Sequence, residues 1–386
     1  MPKTISILGS TGSIGHSVLS IIDKKKKLFR INYLTANKNY KKICNQIIKY
    51  KPKTFIIEDK NIFKKVKKKF KNGNTKIFNE FSQKNLIKSE IIVSAIPGIV
   101  GLKPTIDSIT FCKKLLIANK ESIICGWNLI KNQATKKRVK IIPIDSEHYS
   151  ILKLIEKEKI ESINKIYLTA SGGPFLRYKP FQFRNIKPSD AFKHPRWKMG
   201  KKISVDSSTI MNKLLELVEA QKIFNLPMNK LDILIHPESL VHAIIEFKNG
   251  LTKFLYHNTT MIIPIANAIF ENNFDIKNFY KTNDRLIKSL NFEKVDKKNF
   301  PLIKLKSVIN KYPSSSIIFN AANEELVSRF IQKKLPFLSI QKAIMNIQND
   351  SNFKEYAVKR PQNIKEITKI NDWAKKTIVK KIKKYV

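Results

Sequence analysis

Ile5-Ser6-Ile7-Leu8-Gly9-Ser10-Thr11-Gly12-Ser13-Ile14-Gly15 decides the fold. An apolar run is followed at once by three glycines spaced G-x-x-G-x-x-G, which reads as a strand, a tight turn and the start of a helix. Glycine serves where a backbone bends sharply or approaches a pyrophosphate, and the helix N-terminus beyond favours an anion. The spacing is not G-x-G-x-x-G, so two readings stand on these residues: a nucleotide-binding turn, or a plain glycine-rich one.

Working outward, apolar runs alternate with helical periodicity. Strand-like ISILG, INYLTA, TFIIE, IIVSAI, LLIAN and KIIPI are separated by helical stretches near residues 15 to 23, 40 to 50, 61 to 70, 101 to 110 and 121 to 136. That order predicts a Rossmann-like parallel sheet covered by helices on both faces. The second strand runs into Asn37-Lys38-Asn39. An acidic residue there would suit the ribose hydroxyl of NAD, whereas Lys38 suits a 2′-phosphate, so NADPH is favoured over NADH.

From Glu161 the pattern changes to INKIYLTA, ILIHPE, LVHAIIEF and LTKFLYH mixed with one long helix near 208 to 223, as a central α+β catalytic domain would show. Residues 272–300 are polar and weakly periodic, and the remainder is amphipathic and helical. The expected organisation is a cofactor domain over 1–149, a catalytic domain over 150–271, a connecting segment over 272–300 and a C-terminal helical domain over 301–386.

The chain has 386 residues and a formal net charge of +44. A balance this basic ordinarily points to nucleic acid. Here eight of the 74 basic residues are Arg, and the lysine runs lack the interleaved aromatics that stack bases, so they read as solvated helix faces and no nucleic-acid partner is expected. Cys44, Cys112 and Cys125 are scattered, without a CxxC pair, which supports neither a disulfide framework nor a zinc ribbon. No leader and no membrane span is expected, since the longest uncharged stretch, Phe254 to Phe270, is broken by His257, Asn258, Thr259, Thr260, Pro264 and Asn267. The expected location is cytoplasmic.

Two acidic segments carry the chemistry. Asp145 and Glu147 stand two apart at the end of a strand-like run, and Glu216 follows Asn212 by four and Lys213 by three, which puts those three on one helix face. Hard oxygen donors at such places suit Mg²⁺ or Mn²⁺. A helix cap at Asp145 or Ser146, and an ion pair between Glu216 and Lys213, remain open alternatives. Ser171-Gly172-Gly173 after a strand offers a hydroxyl and unobstructed backbone donors to an anion. Asp206-Ser207-Ser208-Thr209 is expected to open the helix that bears Glu216 and to bring hydroxyls to its positive end. The segment His194-Pro195-Arg196-Trp197-Lys198-Met199-Gly200 reads either as a flap that closes over substrate or as a surface loop anchored by Trp197. His236 reads as a core or strand-end residue.

Taken together, GSTGSIG, ANKE from Ala118, DSEH from Asp145, LTASGGPF from Leu168, HPxWxMG from His194, DSSTIMNKxLE from Asp206, HPxSxVH from His236 and NAANE from Asn320 resemble the 1-deoxy-D-xylulose 5-phosphate reductoisomerase family, in order and across nearly the whole chain. The resemblance implies an NADPH-dependent homodimeric enzyme that rearranges and reduces a sugar phosphate, 1-deoxy-D-xylulose 5-phosphate, to 2-C-methyl-D-erythritol 4-phosphate in isoprenoid precursor synthesis. It implies Asp145, Glu147 and Glu216 as ligands of one Mg²⁺, Mn²⁺ or Co²⁺, with Lys120 and His194 also at the catalytic centre. Substrate contacts are implied at Lys120, Ser146, Glu147, Ser171, His194, Trp197, Ser207, Asn212, Lys213 and Glu216. Cofactor contacts are implied at Ser10, Thr11, Gly12, Ser13, Ile14, Asn37, Lys38, Asn39, Asn119, Glu121 and Gly200. The chain departs from the usual family pattern at Asn37, Arg196, Lys198 and Glu238, and over Tyr256–Ile265, where YHNTTMIIPI replaces an LGxPDMRxPI stretch.

Overall fold

The computed structural model describes residues 1–197, 199–271, 273–281 and 289–382. Lys198 of the expected flap, and residues 272 and 282–288 of the expected connecting segment, lie outside the described residues. By contact the chain divides into two compact units. The first holds Met1–Tyr149 with the described residues from Thr260 to Lys281, and the second holds Ser150–Thr259 with those from 289 to 382.

The first unit is built on seven parallel strands: β1 (Lys3–Leu8), β2 (Phe29–Ala36), β3 (Thr54–Ile57), β4 (Lys76–Phe78), β5 (Ser89–Ser94), β6 (Cys112–Ile117) and β7 (Lys140–Pro143), in the order β4-β3-β2-β1-β5-β6-β7. Helices α1 (Ser13–Lys24), α2 (Tyr40–Tyr50), α3 (Lys60–Lys69), α4 (Leu102–Ile109) and α5 (Lys120–Lys137) alternate with the strands. Because such a sheet is covered on both faces, its central strands are continuously apolar. Ile5, Ile7, Leu8, Ile91, Ile92, Val93, Leu115, Leu116 and Ile117 are all buried, each worth about 1.5–3 kcal/mol. The chain leaves β1 for β2 on one side and for β5 on the other, so the crevice at the ends of β1 and β5 is the switch point where α/β sheets bind ligands. Gly9 enters this crevice with φ +82°, and a Cβ there would stand 2.6 Å from the carbonyl oxygen of Ala95, so no side chain fits.

Helix α6 (Ser146–Ile155) follows β7, and the division between the units falls inside it. The second unit has a mixed sheet of β8 (Ile163–Ala170), β9 (Leu231–Ile235), β10 (Val241–Phe247), β11 (Thr252–Tyr256) and β12 (Glu293–Lys294), ordered β11-β10-β8-β9-β12. Among its helices are α7 (Lys201–Ser208) and α8 (Met211–Phe224). Helix α9 (Ile262–Phe270) belongs to the first unit, where it packs on α1. Back in the second unit, α10 (Ser315–Ile331), α11 (Phe337–Ile347) and α12 (Ile364–Ile382) form the helical C-terminal part, packed on one another and cored by Phe319, Phe330, Phe337, Ile340, Ile344 and Ile378. No helix among the described residues is long and apolar enough to cross a membrane.

Three details differ from the sequence expectation. The helix expected near 208 to 223 runs over Met211–Phe224, and a separate helix, Lys201–Ser208, precedes it across a break where Ile210 takes φ +63°. Asp206, Ser207 and Ser208 therefore close α7 rather than open α8. Helix α9, expected with the catalytic segment, buries Pro264, Ile265, Ala266, Ala268 and Ile269 within the first unit instead. The expected connecting segment supplies a strand, β12, whose Glu293 pairs with Ile235 and whose carboxylate takes two bonds from Arg177.

Candidate active site

At the switch point of the first unit, helix α1 starts at Ser13 without a side-chain cap and without an acidic residue in its first turn. Its first backbone N–H groups thus have no partner inside the helix, which suits a phosphate. Gly12 and Ser13 are exposed, and Thr11 and Ile14 half-buried. Asn37 and Lys38 are exposed at the end of β2.

Several residues of the implied cofactor set act on the protein itself. Ser10 is fully buried: its hydroxyl donates to Gln46 at 2.7 Å and to the Thr35 carbonyl at 3.1 Å, and its N–H donates to the same carbonyl. Asn39 caps α2 by accepting from Lys42 N–H at 3.1 Å. Asn119 caps α5 by accepting from Ser122 N–H at 2.5 Å, and its amide donates to the carbonyls of Ile96 and Gly98. Glu121 accepts from Gly98 N–H at 3.2 Å. These side chains brace the loops around the crevice. Lys42, absent from the sequence expectation, donates to the Thr11 carbonyl at 3.2 Å and brings an ammonium onto the glycine turn. One turn beyond Lys38 on α2, it was legible only as one lysine among many.

Asp145 answers the cap question in both ways. Its Oδ1 accepts from Glu147 N–H at 3.2 Å and its carbonyl from Tyr149 N–H, as a helix cap does, while Oδ2 lies 3.7 Å from Lys120 Nζ. His148 Nδ1 stands 3.4 Å from Oδ1, and the Ser146 hydroxyl donates to Glu147 Oε2 at 2.6 Å.

In the second unit, the loop after β8 and the end of α7 meet. Gly173 has φ +69°, and a Cβ on it would stand 3.0 Å from both the Ser207 carbonyl oxygen and Ser208 Cα. Ser171 Oγ accepts from Gly173 N–H at 3.1 Å and lies 2.9 Å from His194 Nε2. His194 Nδ1 accepts from the N–H groups of Arg196 and Trp197 at 3.2 and 2.9 Å, which leaves the ring proton on Nε2, facing Ser171. Burial, then the ammonium of Lys213, pushes the His194 pKa down to about 4. Ser171, Ser207 and Asn212 are half-buried among buried neighbours. On α8, Asn212 Nδ2 donates to Glu216 Oε1 and Lys213 Nζ lies by Glu216 Oε2, each at 2.5 Å. The ion pair left open by the sequence is therefore present, and its carboxylate is only 2% exposed. The first unit thus offers the carboxylates of Asp145 and Glu147 and the second that of Glu216, hard oxygen donors of the kind that suit a divalent ion of the Mg²⁺ or Mn²⁺ type.

The flap segment is anchored at its middle. Arg196 Nε–H donates to the Pro237 carbonyl at 3.1 Å, and the half-buried Trp197 sets its ring at 6.0 Å, edge to face, against His242. His242 stacks on His257 at 3.8 Å. Neither histidine was singled out from the sequence, because strands β10 and β11 bring them together only through pairing. Gly200 is exposed and starts α7. His236, fully buried, stacks on Phe292 and donates to the Asn291 carbonyl at 2.9 Å.

A doubly covered parallel sheet with a glycine turn at its switch point, in a chain whose second unit carries clustered hydroxyls, a buried lysine and a carboxylate, defines a nucleotide-dependent α/β enzyme acting on an anionic substrate. Family models match along the chain: 1-deoxy-D-xylulose 5-phosphate reductoisomerase over residues 5–126, its C-terminal domain over 141–224, and a further DXP reductoisomerase C-terminal domain over 257–377. The chain belongs to the 1-deoxy-D-xylulose 5-phosphate reductoisomerase family. It is 46% identical to the reductoisomerase of Pelagibacter ubique (strain HTCC1062) over 378 residues, covering 96% of this chain and 97% of the relative. It is 39% identical to that of Wolbachia sp. subsp. Drosophila simulans (strain wRi), with 89% of each covered. Among solved structures, a DOX-P reductoisomerase in complex with NADPH, fosmidomycin and magnesium superposes with a TM-score of 0.91 at 29% identity, over 99% of this chain and 98% of that one. The Zymomonas mobilis enzyme in complex with NADPH gives 0.87 at 27%, with 99% of each chain covered.

Proposed function

We propose that this chain converts 1-deoxy-D-xylulose 5-phosphate to 2-C-methyl-D-erythritol 4-phosphate with NADPH and one divalent cation. The observation that carries the reading is the near-complete match to relatives of that activity, 46% identical at the highest quoted, joined to a chain in which every proposed metal and phosphate residue is present. The exposed Gly12 and Ser13 at the uncapped start of α1, with Thr11, Ile14 and Asn37 beside them, receive the nucleotide, and Lys38 and Lys42 supply cations for its phosphates. Ser10, Asn39, Asn119 and Glu121 support the cofactor through the loops they brace rather than by direct contact.

Asp145, Glu147 and Glu216, the residues the family resemblance implies, would hold the metal. When bound, the metal supplies Lewis acidity at the substrate's oxygens, and NADPH supplies hydride. Lys120 and Ser146 flank these carboxylates and orient the sugar's hydroxyl end. Ser171, Ser207, Asn212 and Lys213 take the phosphate. Ser171 already accepts two hydrogen bonds, so its own proton is free to point at a phosphate oxygen. His194 sits behind it with a proton on Nε2, and the dianion's arrival opposes the burial that keeps the ring neutral. Trp197 covers the substrate and excludes water from the aldehyde that must form between rearrangement and reduction.

The free thiols of Cys44 and Cys112 suit a reducing, cytoplasmic setting. A homodimer is supported by the outer edge of β11, unpaired among the described residues, where Leu251 and Phe254 are exposed. Oxidation of NADPH that requires both deoxyxylulose phosphate and a divalent cation tests the function. Oxidation that survives complete chelation would contradict it.

A further inference from the structure

Asp206 is 1% exposed, yet it is a carboxylate. Such a group is costly to bury unless each oxygen meets a donor. Here each does: Oδ1 accepts from Asn323 Nδ2 at 2.7 Å and Oδ2 from Lys202 Nζ at 2.9 Å. Lys202 lies one turn back on the same helix, but Asn323 reaches in from α10, 117 residues along the chain, and is itself fully buried. The residue after Asp206 is Ser207. Two residues beyond Ser208, Ile210 is held at φ +63°, a conformation that a β-branched side chain resists and that persists only where its surroundings impose it. Thr209 helps impose it by donating from Oγ1 to the Asp206 carbonyl at 3.2 Å and accepting from Met211 N–H. On the other side Gly173 presses on the Ser207–Ser208 backbone. Ser207 is thus gripped between a glycine loop and a buried polar anchor.

We infer that Asn323 is a positioning residue for the substrate phosphate, acting through the Asp206 carboxylate on the placement of Ser207 and the start of α8. The inference rests on the phosphate-site reading given above for Ser207, Asn212 and Lys213. If the Asp206–Asn323 pair served only to hold α10 to the fold, its loss would weaken everything together. As a positioning contact, its loss falls on the phosphate and spares the nucleotide.

The test compares Asn323→Asp, Asp206→Asn and the exchanged double variant, with KM for deoxyxylulose phosphate, KM for NADPH, kcat, inhibition by inorganic phosphate and Tm measured for each. Asn323→Asp sets two carboxylates face to face and is expected to raise substrate KM and weaken phosphate inhibition by about tenfold or more, with KM for NADPH unchanged. The exchange restores a donor facing an acceptor with the roles reversed, and both values return to within about threefold of the parent. Unchanged substrate KM in Asn323→Asp, a parallel rise in both KM values, or no recovery in the exchange would overturn the inference. If Asn323→Asp does not fold, Asn323→Ala removes the donor without adding charge and is judged by the same split. Ser207→Ala separates the two readings. If it leaves substrate KM unchanged, the phosphate-site assignment fails; if it raises KM while the Asn323 variants do not, the inference alone fails.

Discussion

Gly172 and Gly173 offer a paired substitution whose two members should fail differently. Both have positive φ, +79° and +69°, so alanine at either costs about 1–2 kcal/mol of backbone strain. The surroundings then part. A Cβ at 172 would stand 2.5 Å from Leu176 Cδ1, the end of a side chain that can turn aside for a further ~0.5–1.5 kcal/mol. A Cβ at 173 would stand 3.0 Å from the Ser207 carbonyl oxygen and Ser208 Cα, which are backbone and can only be pushed, by a few tenths of an ångström. That push falls on a hydroxyl assigned to the phosphate. A hydrogen bond to a charged group is worth about 1.5–3 kcal/mol, so losing half of one raises substrate KM by about three- to tenfold. Urea denaturation should show both variants destabilised by about 1–3 kcal/mol, and steady-state kinetics should show substrate KM raised in Gly173→Ala alone, with KM for NADPH unchanged in both. Equal rises in substrate KM, or none in a folded Gly173→Ala, would refute the claim that the glycine loop and Ser207 form one anion cradle.

Glu216→Gln removes a carboxylate oxygen from the proposed metal ligands while keeping an acceptor for Lys213, and turnover should fall by at least about a hundredfold while NADPH binding, read by fluorescence titration, is retained. Lys38→Ala should raise KM for NADPH severalfold and leave that for NADH nearly unchanged; equal losses with both cofactors would place Lys38 in the loop's support. Burial lowers the pKa of both His194 and His257 from 6.5 to about 4, so each takes up a proton in the unfolded chain before it does in the folded one. Stability is therefore full above pH 6.5 and declines as pH falls toward 4, and His257→Gln should flatten that decline by about 1.4 kcal/mol per pH unit at most. An unchanged slope in chemical denaturation would remove His257 from the account.

The sheet was legible because its strands are short apolar runs and its helices carry their own period. Where local pattern weakens, the reading fails. Strand β4 is three residues of Lys-Ile-Phe at an edge, and β12 is two residues in a polar stretch, too short for any alternation to show. The break at Ile210 carries no glycine or proline to mark it; Thr209 bonds back to the Asp206 carbonyl, and Gly173 packs on the Ser207–Ser208 backbone from outside the local sequence. The acidic and hydroxyl residues of the candidate site stood out by chemistry, but their division of labour did not. Ser10, Asn39, Asn119 and Glu121 are the residue types that contact nucleotides and also the types that cap helices and brace turns, and their bonds to Gln46, Lys42, Ser122 and Gly98 depend on packing that the local sequence does not show. The stack of His242 on His257 under Trp197 depends on strand register, which the sequence of neither strand states.

The central claim is that one chain both rearranges a carbon skeleton and reduces it. Carbon NMR of the product formed from labelled deoxyxylulose phosphate, NADPH and Mg²⁺ tests it most directly. The account predicts a branched tetrol phosphate, with one NADPH consumed for each molecule formed. A product with the straight five-carbon chain intact, reduced at its ketone, would show an ordinary sugar-phosphate dehydrogenase and contradict the account.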